Sequence, residues 1–422
     1  MSDYENRGGT ILQSTLSSLP SLPLGQARQR IVQSLTPLSP ETVSLDLALG
    51  RLPVQSIKST LPKPSFDQST RDGYAVGEPE KKTTTEHVAF VLVAEVAAGS
   101  SAAVSVRPGE AVRIMTGAQI PAGCTRVVPF EVCREEHDQV LIPAHALSES
   151  NRFIRRRGRD LAVGRVIAGK GKRLSADHLL LLAENKQTMV DVHRRPGVTV
   201  LCTGSELVYP GQEMRQGQKI SGNGVLLQAL LQETGSEVLR VRTVSDGVGD
   251  IIAALEKMLA LQPDMILTTG GMGPGKFDLL EQVFTRLGGE ILYNSLQVRP
   301  GKSTLYGKLS GVPLFGLPGP PPAVRLLFHE VVAPGLNRLQ GRRHPLGSLV
   351  KARLLESITS GKSNHLSLKG GVAVVRKSTL CVRPAGRLDG INAIVHLSSR
   401  KSFFSAGATV SVRLLSAYSH TF

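Results

Sequence analysis

The chain reads as a multidomain protein of the α/β and β class, and three observations carry that reading. From Gly197 onward, apolar runs of strand length alternate with segments of helical periodicity, which is the pattern of a parallel-rich sheet covered by helices. Between positions 61 and 146, short β-branched runs recur with turn residues between them. After position 341, strand-like runs return without helices. A chain of 422 residues exceeds one ordinary core. The expected parts are 21–60 together with 147–190 as a linker or N-terminal domain, 61–146 as a β insert, 191–340 as the α/β domain, and 341–422 as a small, barrel-like β domain.

The elements follow in order. Gln26 to Leu35 predicts a helix, with Ala27, Ile31, Val32 and Leu35 at helical spacing and Pro37 beyond its end. Pro40 to Ala48 predicts a short strand and turn. In the insert, His87 to Val96, Gly109 to Ala118, Val127 to Val132 and Gln139 to Pro143 predict strands. Ser175 is placed as the N-cap of a helix running to Asn185. The α/β part predicts strands at Val198–Cys202, Glu237–Thr243, Met265–Thr269 and Val312–Leu317. The helices between and after them are expected at Asn223–Thr234, Asp250–Leu261, Phe277–Leu287 and Pro322–Val332. Leu349–Leu355, Val372–Val375, Ala393–Leu397 and Thr409–Leu415 predict the last strands.

Composition narrows the partners. The net charge is +16 and the pI about 10.0, which favours an anionic partner. There is no Trp and only 4% aromatic residues, so a nucleic-acid binder built on base stacking is not expected. The four cysteines are widely spaced, without a CxxC pair, which argues against structural zinc and for reduced thiols. The opening Met-Ser-Asp-Tyr-Glu-Asn has no basic or apolar leader, and no apolar stretch approaches 18 residues. A cytoplasmic protein without a membrane span is expected.

The chemistry should lie at the C-terminal ends of the strands, where open α/β sheets bind ligands. The strand Met265–Thr269 runs into Gly270-Gly271-Met272-Gly273-Pro274-Gly275-Lys276-Phe277-Asp278. Glycines there let backbone approach a ligand, so the loop reads as a phosphate cradle or as a plain turn. Asp278 is placed to cap the next helix or to hold a metal ion. Glu206 and Asp246 follow two other strands, and each alone reads as a solvated cap. Three carboxylates at one sheet edge fit a shared role such as Mg²⁺ binding beside phosphates. Arg299-Pro300-Gly301-Lys302-Ser303 brings two cations on a kinked loop, and Pro318-Gly319-Pro320-Pro321-Pro322 forms a stiff turn before a helix. Gly301-Lys302-Ser303 is not a P-loop, because position 296 is Leu where that motif needs Gly. No Ser/His/Asp or Cys/His arrangement is legible.

Taken together, several segments resemble one family. Ser69 to Val76, Arg113 to Pro121, Ile154 to Asp160, Thr203 to Leu207, Gly270 to Asp278, Arg299 to Lys302 and Leu317 to Pro321 resemble, in order and spacing, the MoeA family of molybdopterin molybdenumtransferases, which includes the gephyrin E domain. The resemblance runs from about 25 to 418. It implies a MogA-like, molybdopterin-binding α/β domain and a homodimer whose active site draws on both subunits. It also implies insertion of molybdate into adenylylated molybdopterin with Mg²⁺ and release of AMP. The partners it implies are a MogA-type adenylyltransferase and client molybdoenzymes, with neither specific nucleic acid nor membrane.

By position, the resemblance assigns catalytic roles to Asp72, Thr116, Asp160, Glu206, Asp246, Asp278 and Lys302, with Glu206, Asp246 and Asp278 as metal ligands. It assigns substrate binding to Gly270, Gly271, Gly273, Gly275, Lys276, Arg299, Ser303, Pro318 and Pro321. This chain departs from the family pattern at Arg71, Arg159, Ser205, Lys276 and Pro320, three of which stand where the family carries an acid. It therefore resembles a divergent paralogue. Alternatives implied by the departures are a tungstate-specific enzyme and a catalytically weak cofactor-binding protein.

Overall fold

The computed structural model describes residues 19–80, 86–100, 104–148, 153–271, 279–360 and 364–415. The chain forms two compact units. One comprises Gln55–Gly169 and Ser175–Met189; the other comprises the chain up to Val54, Lys170–Leu174 and the chain from Val190. Among the described residues, no helix is long and apolar enough to cross a membrane.

The first unit is built on a six-stranded sheet. Its order is Arg126–Pro129, Gly73–Val76, Glu110–Ile114, His87–Val96, Gln139–Pro143 and Arg134–Glu136. All pairings are antiparallel except that of His87–Val96 with Glu110–Ile114. Successive side chains of a strand face opposite sides. Accordingly Tyr74 and Val76 join an apolar cluster with Phe90 and Ile142, while Ala75 joins another with Val112 and Ile114. The helix Ala176–Glu184 starts where the sequence places its cap. The Ser175 hydroxyl accepts from His178 N, and the His178 ring accepts from Ser175 N, a reciprocal cap with His in the usual Glu position.

The second unit opens with helix α1 (Leu24–Gln33) and continues into an α/β sheet. Its strands are β1 (Gly197–Thr203), β2 (Glu237–Val244), β3 (Met265–Thr269), β4 (Glu290–Tyr293), β5 (Leu305–Leu309) and β6 (Val312–Leu317). Helices α2 (Gly222–Glu233), α3 (Val248–Leu259), α4 (Leu280–Arg286) and α5 (Pro321–Leu327) connect or follow them. The sheet order is β2-β1-β3-β6-β5-β4. The first four strands are parallel, and β1 and β3 are buried throughout, as expected of strands covered on both faces. In register, Cys202 pairs with Thr269 and Thr269 with Leu317, so these strands end at one edge.

Two features depart from the sequence expectation. The far side of the sheet is antiparallel: β5 and β6 form a hairpin through Ser310-Gly311, both with positive φ, and β4 adds beyond them. The helix expected at Pro322–Val332 is α5 followed by a π turn, Phe328–Val332, and then α6 (Ala333–Leu339).

The chain ends in a small closed barrel. Strands β7 (Val350–Leu354), β8 (Leu366–Arg376), β9 (Thr379–Pro384), β10 (Ala393–Leu397) and β11 (Thr409–Leu414) run in the order β8-β9-β7-β11-β10, and β10 pairs back to β8. Closure leaves no free edge among these five. Ala352, Val382, Val395 and Val412 fill its interior.

The π turn buries Glu330 completely at the junction of α1, the helix layer and the barrel. Glu330 Oε1 accepts from His396 Nε2 on β10 and Arg413 Nε on β11, both at 2.8 Å, and Arg28 Nη1 on α1 lies 3.6 Å from Oε2. Burial pushes the carboxyl up, but the hydrogen bond and charge of His396 and the charge of Arg413 prevail and hold it at about 2. Next to it, burial and the Arg325 charge lower His329 to about 4.

Both shifts make the unfolded chain bind more protons than the folded one in acid, so stability rises with pH there. As pH falls, stability is expected to drop first from 6.5 toward 4, where His329 resists protonation only when folded. It should drop again from 4.5 toward 2, where Glu330 stays charged only when folded. Urea unfolding at a series of pH values measures this. A stability flat from pH 7 to 4 would contradict the His329 part.

Candidate active site at the strand ends

The edge where β1, β3 and β6 end opens into a cavity of about 800 Å³. Its wall is made by the segments after those strands, by Asp246 after β2, by the start of α2 and by the loop at Lys302. The backbone there is forced by sequence. Gly270 has φ +93°, and a Cβ on it would lie 2.3 Å from the Thr203 carbonyl oxygen. Only glycine lets β3 turn that close to the end of β1. At Gly301, φ is +110° and a Cβ would strike the Leu327 side chain at 2.6 Å, so glycine is again required beside Lys302.

Among the described residues, two carboxylates and two ammonium groups line the cavity. Glu206 and Asp246 follow β1 and β2, and Lys219 and Lys302 complete the set. Asp246 is anchored by its neighbour across the edge: its Oδ2 accepts from Ser205 N at 3.0 Å, and Ser205 Oγ accepts from Asp246 N at 3.1 Å. Lys219 arrives because Leu207–Val208 pairs in parallel with Lys219–Ile220, and Lys219 N donates to the Glu206 carbonyl at 2.8 Å. Helix α2 starts at the cavity without a side-chain cap from Ser221 and without an acid in its first turn. Its free N–H groups and dipole favour an anion there. Asn223 is buried in the wall. Its amide nitrogen donates to the Gly319 carbonyl at 2.8 Å, and its Oδ1 has no partner among the described residues, leaving an acceptor for an N–H of a bound molecule.

The residues expected from sequence distribute as follows. Glu206, Asp246, Gly270, Gly271, Lys302, Ser303, Pro318 and Pro321 all line the cavity. Arg299 sits on a two-residue strand paired to β8, is exposed, and is not among the lining residues. Gly273, Gly275, Lys276 and Asp278 lie outside the described residues. Asp72, Thr116 and Asp160 belong to the other unit. There Thr116 donates to Asp72 Oδ1 from its N, at 2.7 Å, and its Oγ1, at 2.9 Å, and these bonds hold the Asp72 carboxyl below the usual range. Asp160 is paired with Arg155. Lys219, Ser221 and Asn223 also line the cavity. A sequence signal existed only for the last two, in Ser221-Gly222-Asn223 directly before an apolar helix.

Among the described residues, no three His, Cys, Asp or Glu side chains group closely enough to hold a metal ion. Glu206 and Asp246 are hard oxygen donors, and Mg²⁺ is commonly held by one or two carboxylates together with substrate phosphates. Two carboxylates beside an anion-binding helix start fit that arrangement.

An open α/β sheet with an uncapped helix N-terminus, and with Lys219, Lys302, Glu206 and Asp246 at its strand ends, has the groups that handle a phosphorylated or oxyanionic small molecule. Comparison with known proteins makes this specific. Residues 22–185 match the "MoeA N-terminal region (domain I and II)" and residues 199–338 match the "Probable molybdopterin binding domain". A molybdopterin molybdenumtransferase of Staphylococcus epidermidis is 30% identical over 400 residues, covering 92% of this chain and 94% of the relative. One from Staphylococcus aureus is 30% identical over 403 residues, covering 93% and 95%. The crystal structure of a molybdopterin biosynthesis MoeA protein from Pyrococcus horikoshii is 28% identical, with a TM-score of 0.77 over 94% of this chain and 99% of that one. The chain belongs to the MoeA family of molybdopterin molybdenumtransferases.

Proposed function

We propose that the chain inserts molybdenum from molybdate into adenylylated molybdopterin, releasing AMP, in the cavity at the strand ends. As a member of its family it is a transferase of molybdenum cofactor biosynthesis. The observation that carries the reading is the meeting of Glu206 and Asp246 with Lys219 and Lys302 around the open start of α2. The ammonium groups balance the charge of the phosphates and the oxyanion. The start of α2 and the Gly270-Gly271 turn bring backbone N–H groups to the same anions. Asn223 Oδ1 accepts from the pterin. Glu206 and Asp246, with Asp278, would hold Mg²⁺, which would polarise the phosphoanhydride and neutralise the departing AMP phosphate.

Asp72, Thr116 and Asp160 are assigned to the reaction as well. The two Thr116 bonds keep Asp72 ionised and fixed as an acceptor. Lys276, Gly273 and Gly275 complete the substrate-binding loop, and Arg299, outside the cavity wall, adds only to the positive field around it. The working form is a cytoplasmic homodimer.

The test is incubation with adenylylated molybdopterin and molybdate, with and without Mg²⁺, following AMP released and molybdenum retained. Stoichiometric AMP and metal, dependent on Mg²⁺, is the expected result. AMP release with tungstate alone would redirect the metal assignment, and no AMP with either oxyanion would overturn the proposal.

A further inference from the structure

A second cavity, of about 210 Å³, lies at the opposite end of the same sheet, where β1 and β2 begin and α2 ends. Its wall includes Gly50, Arg51, Arg173, Arg194, Arg195 and Glu233. Two of the four arginines are neutralised by carboxylates that do not line the cavity. Arg51 is paired with Glu41, and Arg194 is paired with Asp264. Arg173 and Arg195 are in no ion pair among the described residues.

Arg173 donates to the carbonyls of Gly50, at 3.2 Å, and Thr234, at 3.1 Å. The second bond caps the end of α2, and capping is a sufficient structural reason for an arginine there. It does not account for the rest of the guanidinium. Five N–H donors are available and two are used, so three remain. Burial lowers the Arg173 pKa, and the charge of Arg342 lowers it further. Arg342 is itself half-buried, and its guanidinium donates only to the neutral Asn337 side chain among the described residues. Among the described residues the wall thus holds positive charge that no ion pair balances, Arg173 and Arg195 against Glu233, and Arg342 adds to it from beside the wall. Two glycines turn the chain beside Arg173 in left-handed conformations, Gly50 at φ +74° and Gly235 at φ +79°, which favour glycine whatever the space.

We propose that this cavity binds a free tetrahedral oxyanion of the phosphate class, held by Arg173 and Arg195. The volume suits such an ion with a few waters, since a water takes about 30 Å³, and it is too small for a nucleotide. Guanidinium forks match two oxygens of such an ion, and the charge they supply is already present and unpaired. The site is separate from the strand-end cavity and does not depend on the transferase reading.

The experiment is equilibrium binding of inorganic phosphate at constant ionic strength to the full chain carrying Lys302→Ala, which weakens the strand-end cavity. One phosphate per chain is expected. Arg195→Gln should weaken it about threefold and Arg173→Gln about tenfold, while Glu233→Gln should tighten it. Sulfate and molybdate should compete, and AMP should not. If Arg173→Gln fails to fold, the opposite shifts of Arg195→Gln and Glu233→Gln still decide. Absence of saturable binding, or equal affinity in those two variants, overturns the site; competition by AMP as strong as by sulfate overturns the free-oxyanion assignment.

Discussion

The Lys302→Ala variant is expected to lose about 10²- to 10³-fold in kcat/KM for molybdenum insertion, the scale seen when one preorganised donor to a developing anion is removed. Lys302 is exposed on a turn, makes no ion pair among the described residues, and faces the cavity from a backbone fixed by Gly301. Its removal therefore costs charge at the site and little in the fold, so the thermal midpoint should hardly move. Asp246→Asn gives a complementary result. The amide oxygen can still accept from Ser205 N, so the link between the loops that follow β1 and β2 survives while the negative charge is lost. Activity should then fall and recover partly at high Mg²⁺, because affinity for the cation is what the carboxylate supplies. The two variants separate anion binding from cation binding: the first should raise the KM for molybdate, the second the Mg²⁺ requirement. An Asp246→Asn enzyme with unchanged activity at limiting Mg²⁺ would remove Asp246 from the metal assignment.

Much of this site was legible in the sequence because its residues follow strands. Glu206 follows the apolar run Val198–Cys202 and Asp246 follows the alternating run Glu237–Val244, and any parallel sheet places the turns after its strands at one edge. The Gly270-Gly271 pair was legible for the same reason. Lys219 was not. It follows a polar segment and reaches the cavity only through the two-residue pairing with Leu207–Val208, a contact with no periodicity to announce it. The uncapped start of α2 was also hidden, since Ser221 is a residue that usually caps and here does not. In the fold, β5 escaped because Gly307 and Lys308 interrupt its alternation. Its strand character comes from pairing with β6 in the hairpin. Arg299 illustrates the reverse case: two residues from the Gly301 turn, it reads as part of the same cationic loop, yet pairing with β8 takes it out of the wall.

Glu330 shows the limit most clearly, and it leads to the largest expected effect on stability. In sequence, Phe-His-Glu-Val-Val is a helix segment with two polar residues, and nothing marks the Glu as buried. The π turn carries it inward, and its hydrogen-bonding partners are 66 and 83 residues away, on separate barrel strands. Removing one member of a buried charged group leaves the others uncompensated, at a cost of about 3–5 kcal/mol. Glu330→Ala is therefore expected to lower unfolding free energy by about that amount, measured by urea titration at pH 7, and Glu330→Gln nearly as much, since the amide restores shape but not charge. The sign of a combined replacement distinguishes charge from packing. Exchanging Glu330, Arg28 and Arg413 together for methionine removes the stranded charges along with the carboxylate. It should cost less than Glu330→Ala alone, as apolar substitutes for buried ionic groups often do. If instead the triple replacement is the more damaging, the cluster holds the barrel by specific hydrogen bonds rather than by charge balance. A Glu330→Ala cost below about 1 kcal/mol would mean that neither does.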